Sequence, residues 1–162
     1  MYTIEDIRDI AIQIERNGER TYRLASEKAV DTELAKLLSW MADEEERHGG
    51  WFEGFAADRQ VFQENFEMEA MGRSLLREMV KNQTFSLNGE KLDAAEDVIA
   101  LLTQSLNFEK DTIIFYNLIE SFIDDPKTSE QLSIIVEEER GHVNELKKLK
   151  KKFSSGMNVD FL

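Results

Sequence analysis

The sequence predicts an all-α protein, a bundle of four long helices, and three observations support this fold class. Pro126 is the only proline among 162 residues, and proline is the residue that most strongly interrupts a helix. Apolar residues recur every three or four positions, which is the spacing of one helix face. Runs of Val and Thr, which favour strands, are scarce. The apolar content of 41% is sufficient for one compact core without disulfides.

The first predicted helix spans residues 4–29, and the second follows after a tight turn, so the two are antiparallel. Thr3 and Asp6 form a loose capping box at the first start, and Asp31 is the expected N-cap of the second helix. The apolar stripe of the first helix is Ile4, Ile7, Ala11, Ile14, Leu24 and Ala25. The apolar stripe of the second helix is Leu34, Leu37, Leu38, Met41, Phe52 and Phe55.

The helical periodicity weakens between residues 63 and 88, where we expect a long crossover between helices 2 and 3. A shorter helix over 68–81 fits within this segment, before a turn signal at 86–89. Two antiparallel hairpins joined by a long crossing segment form one of the known connectivities of four-helix bundles.

The third and fourth predicted helices form the second hairpin. Asp93 is the expected N-cap of the third helix, which ends near Asp124. Asp125 caps the fourth helix, with Pro126 at its first position, and this helix reaches Lys152. The third apolar stripe is Val98, Leu101, Leu102, Leu106, Ile113, Tyr116 and Ile119. The fourth is Leu132, Ile135, Val136, Val143, Leu146 and Leu149.

One domain over residues 1–153, followed by a tail at 154–162, accounts for all four helices. The net charge of −13 would repel a phosphate backbone, so we expect no nucleic-acid partner. No stretch approaches the roughly 18 apolar residues of a membrane span, and the acidic start has no apolar signal region. We therefore expect a cytoplasmic protein without membrane contact.

Both histidines of the sequence lie three residues after a glutamate, which places each pair on one face of a helix, able to bind the same ion or neighbouring ions. In the first and third helices a glutamate is followed seven residues later, two turns on, by a tyrosine. The Glu-x-x-His pairs are Glu45 with His48 and Glu139 with His142, and the glutamate–tyrosine pairs are Glu15 with Tyr22 and Glu109 with Tyr116.

These spacings repeat between the two halves of the sequence. Adding 94 to residue numbers 15, 22, 45 and 48 gives 109, 116, 139 and 142, with the same residue type each time. One Glu-x-x-His pair is weak evidence, because a helical glutamate is usually a solvated surface residue. The repetition of all four types favours duplicated hairpins that bring two Glu and two Glu-x-x-His sets together at the bundle centre.

Four carboxylates and two imidazoles form a predominantly hard ligand set, which suits iron or manganese better than zinc. Buried carboxylates repel one another unless cations neutralise them. Because four negative charges balance two divalent ions, we expect two iron ions, with manganese as the alternative, and we expect metal to stabilise the fold.

The repeated residues resemble the rubrerythrin-like branch of the ferritin-like diiron-carboxylate superfamily, and the long crossover is the ferritin-like connectivity. The resemblance covers all four helices. It implies that Glu15 and Glu109 are terminal metal ligands and that Glu45 and Glu139 bridge the two ions. It further implies that His48 and His142 each bind one ion, and that Tyr22 and Tyr116 donate hydrogen bonds to the ligands.

Three features depart from the family pattern. Rubrerythrins typically have a second glutamate three residues after the first in the third helix, and Thr112 at this place argues against redox-linked ligand exchange. They also carry a cysteine-rich rubredoxin module; this chain contains no cysteine, which implies an external electron donor such as a rubredoxin-type protein. Glu44 and Glu138 also match between the halves, either as ligands or as acids beside them, although the family spacing favours the following glutamates.

The resemblance implies a non-haem diiron oxidoreductase, peroxidase-like, that reduces hydrogen peroxide or dioxygen during oxidative stress. Two alternatives stay open: a ferroxidase or iron-binding protein in iron handling, and a metal-binding bundle without catalysis. Rubrerythrin-like domains often dimerise, so a homodimer is expected.

Two further sets of residues carry structural expectations. Trp40 and Trp51 are expected in the core. Gly18, Gly49 and Gly141 lie inside predicted helices, where each destabilises by about 1 kcal/mol relative to Ala. Close approach of a neighbouring helix is the expected reason for these glycines.

Overall fold

Four helices follow one another in the computed structural model, which describes residues 4–54, 74 and 91–159. They are α1 (Ile4–Lys28), α2 (Thr32–Glu53), α3 (Ala95–Glu120) and α4 (Pro126–Val159). α1 packs along α2, and α3 packs along α4, which confirms the two predicted hairpins. No helix in these described ranges is long and apolar enough to cross a membrane.

Several sequence predictions fall outside the described residues. These are the crossover over 63–88, with its turn at 86–89, the side chain of Phe55, and the capping box of Thr3 with Asp6. Within the shorter helix predicted over 68–81, Ser74 is the described residue, and its backbone is helical.

The predicted caps of α2 and α4 are confirmed. The Asp31 carboxylate accepts a hydrogen bond from the backbone N–H of Leu34 at 2.8 Å, and the Asp125 carboxylate accepts one from the N–H of Thr128 at 3.0 Å. Each carboxylate satisfies one of the free N–H groups at a helix start and complements the positive end of the helix dipole. Pro126 occupies the first position of α4, where its missing N–H costs nothing.

The predicted cap of α3 is wrong by one residue. Ala94, with extended backbone, is the N-cap, and its side chain makes no capping bond. The reason is that Leu92, just before Asp93, pairs with the end of α1. The Leu92 N–H donates to the Lys28 carbonyl at 2.8 Å, and the Val30 N–H donates to the Leu92 carbonyl. This short parallel bridge to the end of α1 keeps the chain extended past Asp93.

Two helix ends also differ from the prediction. α3 ends at Glu120, because Phe122 and Ile123 bond back three residues in tighter turns. α4 continues to Val159, beyond the predicted end at Lys152. The small residues there destabilise a helix by at most about 1 kcal/mol each, which is not enough to stop a helix already anchored by Phe153 on the core.

The core lies between all four helices and contains the described side chains of the predicted apolar stripes, apart from Leu24. Two predictions about large apolar side chains are wrong. Leu24 is 42% exposed and Trp40 is 43% exposed, because each lies at the edge of its helix's buried face. Trp51 is half-buried against the core, as expected.

The caps give a matched test. Asp31→Ala removes a cap with a bonded N–H, and we expect it to lower the free energy of unfolding by about 1 kcal/mol, or about 2–4 °C in Tm for a chain of this size. Asp93→Ala is the control: this exposed aspartate does not cap α3, so the Tm should stay unchanged. Thermal unfolding followed by circular dichroism measures both, and equal losses in the two variants would contradict the assigned caps.

Candidate metal centre

The six predicted ligands meet at the centre of the bundle. α1 and α3 contribute one glutamate each, and α2 and α4 each contribute a glutamate and, one turn later, a histidine. Every one of these side chains is fully buried: Glu15, Glu45, His48, Glu109, Glu139 and His142. The duplicated spacing in the sequence therefore corresponds to a cluster in space.

The cluster divides into two overlapping groups, in each of which the ligand atoms lie within 4.8 Å of one another. Glu15 and His48 belong to the first group and Glu109 and His142 to the second. Glu45 and Glu139 belong to both groups. This arrangement matches two neighbouring ions that share two carboxylates.

Both imidazoles turn the same nitrogen toward the carboxylates. The Nδ1 atom of His48 lies 2.8 Å from Glu139 Oε1, and the Nδ1 atom of His142 lies 2.9 Å from Glu139 Oε2. The two rings are near-parallel, with centroids 6.1 Å apart. Nδ1 is therefore the nitrogen that each histidine presents to the central carboxylates, and Nε2 lies on the other side of the ring.

The tyrosines connect the two halves. Tyr22 in α1 donates a hydrogen bond to Glu109 in α3 at 2.7 Å, and Tyr116 in α3 donates to Glu15 in α1. Each tyrosine was predicted to share a face with the glutamate of its own helix, but its hydroxyl bonds the equivalent glutamate of the other half. The exchange fixes one oxygen of each carboxylate and leaves the other free for a metal.

The buried carboxylates have unused bonding capacity. Both oxygens of Glu45, and one oxygen each of Glu15, Glu109 and Glu139, lack a hydrogen-bond partner among the described residues. Leaving such groups unpaired in a dry interior is strongly unfavourable. A pair of divalent cations would bind these oxygens and balance their four charges, so the residues present fit a dimetal site.

Burial and mutual repulsion change the acidity of the carboxyl groups. Burial, with the nearby Glu139 and Glu15 carboxylates, raises the pKa of Glu45 well above its ordinary value. Burial and Glu139 likewise raise the pKa of Glu109 to about 7. For Glu139, burial acts in the same direction, but the two imidazoles outweigh it and lower its pKa.

The imidazoles become more basic. Burial lowers the pKa of His48, but the carboxylates of Glu139 and Glu15 outweigh burial and raise it to about 9. Burial has the same opposing effect on His142, where Glu109 and Glu139 raise the pKa to about 10. Without metal, bound protons therefore neutralise part of the negative charge that cations would otherwise neutralise.

Three small residues near the cluster behave differently from one another. Thr112 is buried, and its hydroxyl donates to the Phe108 carbonyl at 2.8 Å, so it adds no carboxylate to the site. A Cβ at Gly18 would lie 3.3 Å from the Glu45 carboxylate, which confirms the close approach expected there. For Gly141 that expectation is wrong, because no atom lies within 4 Å of an added Cβ.

Two residues next to the site were not singled out from the sequence as part of it. Arg47 forms ion pairs with both Glu44 and Glu138 on the outer side of His48. The Trp40 ring packs edge-on against His142, with centroids 5.1 Å apart. The sequence signal that distinguishes them is a departure from the repeat, because neither residue type recurs 94 positions later.

Comparison with known proteins supports the architecture. The rubrerythrin family model matches residues 6–150. Among solved structures, one from Thermotoga maritima, described as a ferritin-like diiron-carboxylate protein, superposes with a TM-score of 0.64. The two sequences are 23% identical, and the match covers 93% of this chain and 95% of that chain. No curated protein matched. The predicted ferritin-like four-helix bundle is thereby confirmed.

The shifted pKa values predict a pH-dependent stability for the metal-free protein. From pH 4.5 to 7 the folded chain keeps a proton on Glu109 that the unfolded chain releases, and from pH 6.5 to 9 or 10 the same holds for the histidines. Stability therefore falls as pH rises. One pKa unit corresponds to about 1.4 kcal/mol, so we expect Tm to fall by at least about 5 °C between pH 5 and 9.

Metal reverses this trend, because metal binding requires deprotonated ligands and strengthens as pH rises. Calorimetric scans with and without Mn(II) at several pH values measure both effects. A metal-free Tm that is constant or increases over this range would contradict the protonation states described above.

Removal of one shared carboxylate separates stability from metal binding. Glu45→Gln removes a buried carboxyl group that resists ionisation, so the metal-free protein at pH 8 should gain on the order of 1 kcal/mol, while stabilisation by Mn(II) is largely lost. Glu46→Gln, at a neighbouring side chain that is 61% exposed, serves as the control and should keep the native response. Loss of metal-free stability in Glu45→Gln would show that this carboxylate is structural.

Proposed function

The chain belongs to the rubrerythrin family, and from this premise we propose that it is a non-haem diiron oxidoreductase. Its proposed reaction is the reduction of hydrogen peroxide or dioxygen, with electrons from an external donor. We place this activity in the cytoplasm, in the response to oxidative stress.

The observation that carries the proposal is the pair of overlapping ligand groups with two common carboxylates. Glu15 and His48 would hold one iron, and Glu109 and His142 would hold the other. The carboxylates of Glu45 and Glu139, which belong to both groups, would bridge them. The hard ligand set supports iron, with manganese as the alternative.

A bound iron pair would supply two redox equivalents and Lewis acidity toward the oxidant. The chain contributes a dry site, since all six ligands are fully buried. It also contributes fixed carboxylate orientations, because Tyr22 and Tyr116 bond the terminal glutamates. Burial and these carboxylates raise the pKa of both tyrosines well above the ordinary value, so both remain protonated donors at physiological pH.

The electron donor lies outside this chain in our proposal. Reduction of one peroxide to two waters consumes two electrons and two protons. The sequence contains no cysteine, so these 162 residues provide no thiolate-based redox group. A rubredoxin-type protein is the proposed donor.

Reactivity of the reduced, iron-loaded protein tests the proposal. We expect one peroxide to oxidise both Fe(II) ions, faster than dioxygen does, and a reduced rubredoxin-type protein to restore the starting state; stopped-flow absorbance follows both steps. Glu139→Gln should slow oxidation by more than about 100-fold, beyond the usual effect of losing only an outer hydrogen bond. Glu137→Gln, at a side chain 73% exposed, is the matched control and should leave the rate unchanged.

The other outcomes assign different functions. Faster oxidation by dioxygen would identify an oxidase. Oxidation without re-reduction, followed by iron release, would identify a protein of iron handling and overturn the proposed reductive cycle.

A further inference from the structure

The Nε2 atoms of the two histidines have different surroundings. The Nε2 atom of His48 lies 3.0 Å from Glu138 Oε2, in hydrogen-bonding geometry. The Nε2 atom of His142 has no hydrogen-bond partner among the described side chains, and the edge-on Trp40 ring covers this imidazole instead. The two halves of the centre therefore have the same ligand types, but the residues that contact the two histidine ligands differ.

This difference originates in the sequence repeat. The outer acids obey it, since Glu44 and Glu138 are 94 residues apart, but the position of Arg47 is taken by Gly141 in the second half. Arg47 lies between the two acids and pairs with both. Gly141 has no side chain to do the same for the other histidine. Arg47 thus draws both outer acids to the His48 side of the centre.

Glu138, and not Glu44, is the partner of His48. Its carboxylate is at hydrogen-bond distance from Nε2, whereas the nearest Glu44 oxygen is 3.9 Å away. In the tautomer that binds a metal through Nδ1, the hydrogen is on Nε2, where Glu138 accepts it, and the Nδ1 lone pair is available to an ion beside the shared carboxylates. A carboxylate bonded to the distal N–H fixes the tautomer and ring orientation of a histidine ligand and strengthens it, and loss of such a partner typically weakens metal affinity 10–100-fold.

We propose that the two metal positions are inequivalent: the His48 position binds its ion about 10–100-fold more tightly than the His142 position, because Glu138, held by Arg47, positions His48. The inference rests on the proposed dimetal centre and adds to it an order of filling. Glu138 and Arg47 are positioning residues, and neither is a ligand in this assignment.

Variants that retain one position each provide the test, since they remove coupling between the two ions. Co(II) is the probe, because its visible spectrum reports the number and geometry of the ligands. His142→Ala keeps the His48 position, and His48→Ala keeps the His142 position. We expect the first variant to bind Co(II) about 10–100-fold more tightly than the second. Equal affinities, or the reverse order, would overturn the inference.

A second comparison isolates the carboxylate. Glu138→Ala, added to His142→Ala, should remove the affinity advantage, and Glu138→Gln should restore part of it, because the amide oxygen still accepts the Nε2 hydrogen. Glu137→Ala is the matched control. It removes an equal charge at the neighbouring residue, whose side chain pairs with Arg140 at the surface. An affinity unchanged by Glu138→Ala would also overturn the inference.

These results are distinguishable from failure of the proposed function. If the native chain binds no Co(II), the dimetal centre itself is wrong. If it binds two ions and the single-position variants bind equally, the inequivalence alone is wrong. Circular dichroism of each metal-free variant verifies folding. Glu138→Ala in the otherwise native chain, at a side chain 28% exposed, gives an independent reading through weaker binding of the first ion.

Discussion

The structure depends on one electrostatic constraint: four carboxylates and two imidazoles lie fully buried within a few ångströms of one another. Such a set is unfavourable in a protein interior unless opposite charge compensates it. The metal-free chain compensates partly with protons, because burial and repulsion raise the pKa of Glu45 and the carboxylates raise the pKa of both imidazoles. Cations would compensate fully and would bind the carboxylate oxygens that have no hydrogen-bond partner among the described residues.

Two similar helical hairpins together supply the buried ligand set. Each hairpin supplies one glutamate and one Glu-x-x-His pair, and the pseudo-two-fold arrangement turns them toward each other. The crossed tyrosine bonds, Tyr22 to Glu109 and Tyr116 to Glu15, join the hairpins at the site itself. Departures from the repeat carry information of their own, because Arg47 and Trp40 have no counterparts in the second half and give the two histidines different neighbours.

Much of this architecture was predictable, because helical periodicity and the 94-residue repeat are properties of the sequence alone. The six clustered residues, the caps at Asp31 and Asp125, and the buried stripes follow from spacing and local hydrogen bonding. What sequence did not predict depends on tertiary contacts. The start of α3 shifts because Leu92 pairs with the end of α1, Trp40 lies at the bundle edge, and the tyrosines bond across the halves and not within them.

Metal content tests the central claim most directly. We would purify the protein without chelators and measure bound metals by plasma mass spectrometry, alongside thermal unfolding before and after metal removal. The constraint described above predicts two transition-metal ions per chain, iron or manganese, and a lower Tm once they are removed. A correctly folded chain that contains no transition metal, takes up none on addition of Fe(II) or Mn(II), and keeps the same Tm would contradict the account.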